Sequence, residues 1–255
     1  MSKSMIKRTV TAGPLVQVAV YPAPLPRDGP RVREGKHALS SRAQQLMNQK
    51  YAWQKLKLLM AANFSPKDIY ATLTYSDVNL PPNRERVLRD VESFTKALRA
   101  KRKQRALELK YIDSVEHKHG EGRWHIHILI NSTGEDYELI RQLWRRGGVE
   151  FRKIRVDREK NFETLAKYFC KEPRDKPGQC RWSSSRNLKK PVKTLEYVSD
   201  GKILRPPPKG RTAYQWLERK ESAYGCFYYM EYVLLKGLAR SEPVKRRRKN
   251  RKHFY

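Results

Sequence analysis

The stretch Glu116-His117-Lys118-His119-Gly120-Glu121-Gly122-Arg123-Trp124-His125-Ile126-His127-Ile128-Leu129-Ile130 is the most informative part of the chain. Leu109 to Glu116 reads as a strand, Gly120-Glu121-Gly122 as a hairpin loop, and Trp124 to Asn131 as the returning strand. Side chains alternate across a strand, so His125, His127 and Leu129 share one face. Trp124, Ile126, Ile128 and Ile130 supply the opposite, buried face.

Working outward, Ile69-Tyr70-Ala71-Thr72-Leu73-Thr74-Tyr75 alternates and is rich in β-branched and aromatic residues, which predicts another strand. Pro81-Pro82-Asn83 ends the turn after it, and Val87, Val91, Phe94 and Leu98 then mark one helix face. Downstream of the hairpin, Thr133-Gly134-Glu135-Asp136 has the form of a capping box. It opens a helix with Leu139, Leu143 and Trp144 inward, which Gly147-Gly148 stops. Val149 to Val156 reads as a fourth strand, and Phe162, Leu165 and Phe169 define a helix that stops before Pro173. The order β-α-β-β-α-β-α predicts an α+β fold on the ferredoxin-like (split βαβ) plan, an antiparallel sheet with helices on one face. Ahead of it, the capping box Ser41-Arg42-Ala43-Gln44 and the spacing of Ala52, Leu56 and Leu59 predict a helix over about 42–62.

The flanks differ in character. Residues 1–40 contain Pro14, Pro22, Pro24, Pro26 and Pro30 with little periodicity, and read as an irregular basic arm. Residues 41–190 form the folded catalytic domain in this reading, and 191–240 a C-terminal extension. Within that extension Arg205-Pro206-Pro207-Pro208-Lys209-Gly210 looks like a linker, and Tyr214 to Leu238 a helical or mixed segment rich in aromatics. Residues 241–255 are expected to be a disordered basic tail, since from Lys245 to Lys252 only Asn250 is uncharged.

Over 255 residues, 56 Lys and Arg stand against 26 Asp and Glu, a formal charge of +30. A surplus of that size points to a polyanionic partner, because each neutralised phosphate releases a condensed counterion. Hydrophobic residues at 38% are enough for a core and too many for a wholly disordered chain. No apolar run reaches the ~18–20 residues of a membrane span, which excludes a transmembrane protein, and no signal-peptide core follows the basic N-terminus. Cys170, Cys180 and Cys226 form no CxxC pair, so reduced thiols and a cytoplasmic location are expected.

His125 and His127 lie roughly 7 Å apart along one strand face, and two imidazoles so placed can converge on one cation. A carboxylate from the neighbouring strand would complete a two-His, one-carboxylate arrangement with open positions. Glu116 is the candidate, because a hairpin about Gly120 and Glu121 sets it across from His125. A register one residue different presents His117 and Val115 instead, and both remain open. Two other readings stand beside this one. The H-x-H pair can be solvated or satisfied histidines, or His117, His119, His125 and His127 can form a closed tetrahedral zinc site.

In Tyr168-Phe169-Cys170-Lys171, Tyr168 and Lys171 share a helix face, and Cys170 needs no role beyond a small buried hydrophobe. A tyrosine hydroxyl beside a metal suits attack on phosphorus, with the ion polarising the phosphate. Lys171 would steady the pentavalent transition state or depress the phenol's pKa. Trp182, with Arg181 and Arg186, follows that helix directly and is expected to contact DNA. Tyr224, Phe227, Tyr228, Tyr229 and Tyr232 either stack single-stranded bases or form the core of an appended element.

Three blocks, Ala71-Thr72-Leu73-Thr74-Tyr75, Trp124-His125-Ile126-His127 and Tyr168-Phe169-Cys170-Lys171, resemble in order and spacing the three motifs of rolling-circle replication initiators. These are the Rep proteins of plasmids, phages and small single-stranded DNA viruses in the HUH endonuclease superfamily. The similarity spans roughly residues 41–190. It includes Trp182-Ser183-Ser184-Ser185-Arg186-Asn187-Leu188-Lys189-Lys190-Pro191, which is similar to segments of bacterial and prophage members and adds Lys189 and Lys190 to the expected DNA contacts. The resemblance implies His125 and His127 as metal ligands, Tyr168 as the nucleophile and a third ligand, often Glu, from the strand before H-U-H, which agrees with Glu116. One tyrosine in the third motif resembles the one-tyrosine class.

The function so implied is a metal-dependent DNA nicking and joining enzyme that starts rolling-circle replication through a 5′-phosphotyrosyl intermediate. Mg²⁺ or Mn²⁺ is the expected cofactor, Mn²⁺ binding more tightly and Mg²⁺ being more abundant in cells. Single-stranded or origin DNA is the expected partner, together with a host helicase and polymerase in a bacterial cytoplasm. No Walker A motif is present to supply unwinding. An HUH transposase or relaxase, and a non-catalytic basic nucleic-acid-binding protein, are the alternatives.

Overall fold

The strands and helices follow in the order β1 (Met5–Ala12), β2 (Leu15–Pro22), α1 (Arg42–Asn63), β3 (Ile69–Thr74), α2 (Arg84–Gln104), β4 (Tyr111–His117), β5 (Trp124–Ile130), α3 (Asp136–Leu143), β6 (Val149–Lys153), α4 (Glu163–Phe169), β7 (Ser183–Ser184), β8 (Val192–Val198), β9 (Thr212–Ser222) and β10 (Gly225–Leu234). This computed structural model describes residues 5–23, 41–117, 123–157, 161–172, 179–198, 204, 207, 211–222 and 225–235. The hairpin loop at 120–122, His119, Tyr224, most of the 205–210 linker and the 241–255 tail lie outside the described residues.

The central sheet runs β6-β3-β5-β4-β7, antiparallel throughout. Its first four strands have the arrangement expected of a split βαβ plan, with β7 added at one edge. The physical cause is legible in β5, where Ile126, Ile128 and Ile130 are fully buried on one face and pack with Val87, Val91, Phe94 and Leu98 of α2. Leu129 faces the other way, into a second cluster with Leu56 and Met60 of α1 and Ala166 and Phe169 of α4. Helices therefore cover both faces, not one. The face that carries the histidines is closed by α1 and α4, because Tyr70, Ile112 and Leu129 leave an apolar strip there as well.

Caps define the helix starts. The Ser41 side chain accepts from the Gln44 amide, and Asn83 accepts from the Arg86 amide after the two prolines. Thr133 does not cap α3. Instead Asp136 accepts from the Thr133 amide and hydroxyl, and its Oδ1 also takes the Arg102 guanidinium at 2.7 Å. Arg102, only 1% exposed, donates further to the Asn131 side chain and to the Glu108 and Asn131 carbonyls, which joins α2 to the end of β5.

The flanks depart from expectation. Residues 5–22 of the supposed irregular arm are the β1-β2 hairpin, and the supposed helical or mixed C-terminal segment is the strand pair β9 and β10. Together with β8 they make a second antiparallel five-stranded sheet, β8-β1-β2-β10-β9. Val16, Val18 and Val20 alternate with partly exposed neighbours, which is strand periodicity, while the early prolines sit at the turn and strand end. Gly13 turns the hairpin at φ +57°, and a side chain there would collide with the Ala61 carbonyl oxygen. The tip thus packs directly on the end of α1. Buried Lys57 of α1 completes the junction, pairing with Glu231 of β10 at 2.5 Å and Glu163 of α4 at 3.1 Å. Tyr229, Phe227 and Tyr232 belong to β10 of this sheet.

Candidate active site

The β4–β5 register sets Glu116 opposite His125 and Ser114 opposite His127, which is the first of the two registers open in the sequence. On the other side of β5, Thr72 lies opposite His127 and Thr74 opposite His125. Alternation then puts Glu116, His125, His127, Tyr70 and Thr72 on one sheet face. Helix α4 crosses that face, anchored by Ala166 and Phe169, and delivers Tyr168 onto it.

Four side chains meet there. His127 Nε2 is 2.6 Å from Glu116 Oε2, and the Tyr168 hydroxyl is 3.0 Å from His127 Nε2 and 3.2 Å from Glu116 Oε2. The Lys171 ammonium donates to Glu116 Oε1 at 2.6 Å and lies 4.0 Å from the centre of the Tyr168 ring. Behind the imidazole, the Tyr70 hydroxyl and Thr72 Oγ1 sit 3.1 and 3.2 Å from His127 Nδ1.

The electrostatics follow from burial and these contacts. Burial alone would raise the Glu116 carboxyl, but hydrogen bonds from Lys171 and His127 outweigh it and bring the group down to about 2. Burial lowers His127, against the pull of Glu116, so the imidazole is neutral at pH 7. With Nε2 facing a carboxylate, its proton belongs on Nε2, and Nδ1 accepts from Tyr70 or Thr72. Burial and the neighbouring Glu116 charge push the Tyr168 phenol up to about 12. Lowering the phenol's pKa is therefore not what Lys171 achieves in this arrangement; its charge goes to Glu116.

The donor chemistry, imidazole nitrogen and carboxylate oxygen, suits a divalent cation. His127 and Glu116 already converge, and His125 shares their face. Among the described residues, however, no group of three or more His, Cys, Asp or Glu side chains is gathered closely enough to hold an ion. A cation on His127 Nε2 would require the ring proton on Nδ1, where the Tyr70 and Thr72 oxygens can accept it. The two hydroxyls therefore serve either tautomer. His117 stacks on Trp124 with ring centres 4.2 Å apart, and the four-histidine zinc reading includes His119, outside the described residues.

Other expected residues fall in different places. Arg181 is buried, its guanidinium donating to the Cys170 carbonyl at 3.2 Å and to the Glu172 carbonyl, so it secures the chain after α4. Trp182 packs partly against the α1–α4 core, while Arg186, Lys189 and Lys190 are exposed. None of Cys170, Cys180 and Cys226 forms a disulfide. Tyr70 and Thr72 were missed as site residues; only the pairing of β3 with β5 places them behind His127. A cleft of about 980 Å³ opens beside Tyr70 and Tyr168 and is lined by Arg152, Lys153 and Arg155, a cationic wall beside the phenol.

A basic α+β scaffold that holds a buried phenol against a His–Glu pair, next to a cationic cleft, is suited to chemistry on a phosphodiester. Residues 68–173, less than half of the chain, match the family model for replication-associated proteins of the ORF2 type. The matched stretch begins just before β3 and ends just after α4, so it contains all the residues of the cluster. The match supports a place among replication-associated proteins. No curated protein and no solved structure matches the chain. Among the described residues no helix is long and apolar enough to cross a membrane.

Proposed function

We propose that the chain is a DNA nicking and joining enzyme of the HUH type that initiates rolling-circle replication, with Tyr168 as nucleophile. The observation that carries this reading is the position of the Tyr168 hydroxyl, 3.0 Å from His127 Nε2 and 3.2 Å from Glu116 Oε2. Held by His125, His127 and Glu116, Mg²⁺ or Mn²⁺ would polarise the scissile phosphate and stabilise charge on its oxygens. The Tyr168 oxygen bonds to phosphorus as the bond to the 3′ oxygen breaks, and the phenolic proton is exchanged for one on that 3′ oxygen. A DNA hydroxyl later reverses the ester and joins the ends. A phenol pushed up to about 12 is almost wholly protonated at neutral pH, which keeps the nucleophile quiet until substrate arrives. Lys171 supplies positive charge beside the phenol as the phosphorane forms. The wall of Arg152, Lys153 and Arg155 takes the flanking backbone, and Arg186, Lys189 and Lys190 extend the contact. Unwinding and synthesis fall to a host helicase and polymerase.

The test is to incubate the chain with single-stranded DNA from around its own gene and Mn²⁺, then look for an SDS-resistant adduct. The wild type is expected to form it and Tyr168→Phe to bind DNA without forming it. An adduct that survives Tyr168→Phe moves the nucleophile elsewhere. No adduct under varied metals and sequences leaves a basic DNA-binding protein.

A further inference from the structure

A second cluster lies around the end of the central sheet from the phenol. Asp90 of α2, 3% exposed, accepts the Tyr75 hydroxyl at 3.2 Å on Oδ2. Its Oδ1 takes Arg86 Nε at 3.2 Å and Arg146 Nε at 2.9 Å. Both guanidiniums are therefore held through Nε, and among the described residues no hydrogen bond or ion pair engages the Nη atoms of either. The Arg146 guanidinium also lies over the Trp144 ring, 5.8 Å from its centre, which restricts it further. Arg86, Arg146 and the exposed Arg89 line a cavity of about 360 Å³ at the start of α2.

Two arginines clamped on one buried carboxylate, with their outer N–H groups turned to a small cavity, make a preorganised anion site. Guanidinium forks of this kind bind phosphate oxygens in pairs. Three cations against one carboxylate leave the cluster net positive, and the N-terminal end of α2 adds to it. The position matters as much as the charge. Tyr75, bonded to Asp90, directly follows Thr74, which is paired with His125. The Ser76 amide donates to the Arg146 carbonyl at 2.9 Å, and Arg123 at the start of β5 is ion-paired with Asp77. The cavity and the phenol thus lie at one end of the sheet, on opposite faces.

We propose that Arg86, Arg89 and Arg146 form a second phosphodiester site, which grips the substrate strand where it rounds the sheet end away from the scissile bond. The proposal rests on the nicking reading for its substrate, but binding tests it apart from cleavage. In a Tyr168→Phe background, fluorescently labelled single strands of about 30 and about 8 nucleotides are titrated at several salt concentrations, the shorter no longer than one binding site. The double variant Arg86→Gln/Arg89→Gln leaves Arg146 on Asp90; Arg89→Glu, at an exposed position, is the second variant.

Loss of two phosphate contacts lowers the salt slope for the long strand by about 1.4. Between 50 and 200 mM salt the parent then loses about sevenfold more affinity than the double variant. Arg89→Glu is expected to weaken long-strand binding in the same direction, with the effect confined to the long strand. An unchanged slope and affinity in both variants overturns the proposal. So does an inorganic-phosphate-induced melting shift that disappears in the double variant while DNA binding is unaffected, since the cavity then takes free phosphate. If the wild type forms no adduct but the slope still falls, the phosphodiester site stands and the nicking reading fails.

Discussion

Replacing Asp113 with asparagine is expected to stabilise the protein at neutral pH and to do nothing at pH 4. Asp113 lies on β4 opposite Ile128, 2% exposed, with the Ser183 hydroxyl donating to its Oδ1. Burial pushes its carboxyl up to about 6 from 3.8, despite the opposing pull of the Ser183 hydrogen bond and the Arg84 charge. The folded state therefore binds this proton more tightly than the unfolded chain does. Its contribution to stability is complete below pH 3.8 and is lost as pH rises through 6. At roughly 1.4 kcal/mol for each pH unit, the loss reaches about 3 kcal/mol by pH 8. Asparagine keeps the acceptor for Ser183 and carries no charge at any pH. Urea unfolding of both chains, followed by tryptophan fluorescence from pH 4 to 8, should show a stability difference near zero at the acid end. It should rise by about 2–3 kcal/mol across the window around pH 6. A difference that stays flat with pH, or has the opposite sign, refutes the argument that this carboxylate is ionised at a cost in the sheet. Because Asp113 faces α2 and not the phenol, adduct formation should be unaffected.

Lys57→Met leaves the buried Glu231 and the partly buried Glu163 without their shared cation, and should cost about 3–5 kcal/mol in urea unfolding. Adding Glu231→Gln should recover part of that loss, and no recovery would mean that the carboxylates are not the source. Lys171→Gln removes a hydrogen bond that holds the Glu116 carboxyl at about 2, so the acid limb of adduct formation should move to higher pH. An unmoved limb would separate Lys171 from Glu116. Tyr70→Phe strips one of two hydroxyls from His127 Nδ1 and should slow adduct formation by about 10–100-fold with little change in melting temperature. Equal rates for the two chains would assign ring orientation to Thr72 alone.

The central elements were legible because their signals are local. Alternation in Trp124–Ile130, the heptad-like spacing of Val87, Val91, Phe94 and Leu98, and the caps at Ser41 and Asn83 each act within a few residues of chain. The order β-α-β-β-α-β-α followed, and with it the placement of the His125–His127 face and a helix bearing Tyr168. The second sheet was not legible. β2 pairs with β10 across some two hundred residues of sequence, and neither strand carries a mark that names its partner. Prolines near β2 and aromatics in β10 suggested irregular and helical structure, and pairing overrode both.

From its own residues the chain determined an antiparallel ferredoxin-like core, a strongly cationic surface and two histidines on one strand face, because periodicity and charge act locally. Tertiary structure alone decided that Glu116 faces His125 and not the far side, that Tyr70 and Thr72 stand behind His127, that Lys171 bonds Glu116, and that Arg181 turns inward. Each of these depends on strand register or on how a helix crosses a sheet. Shifting register by one residue reverses every side chain, so the choice rests with packing summed over the whole core.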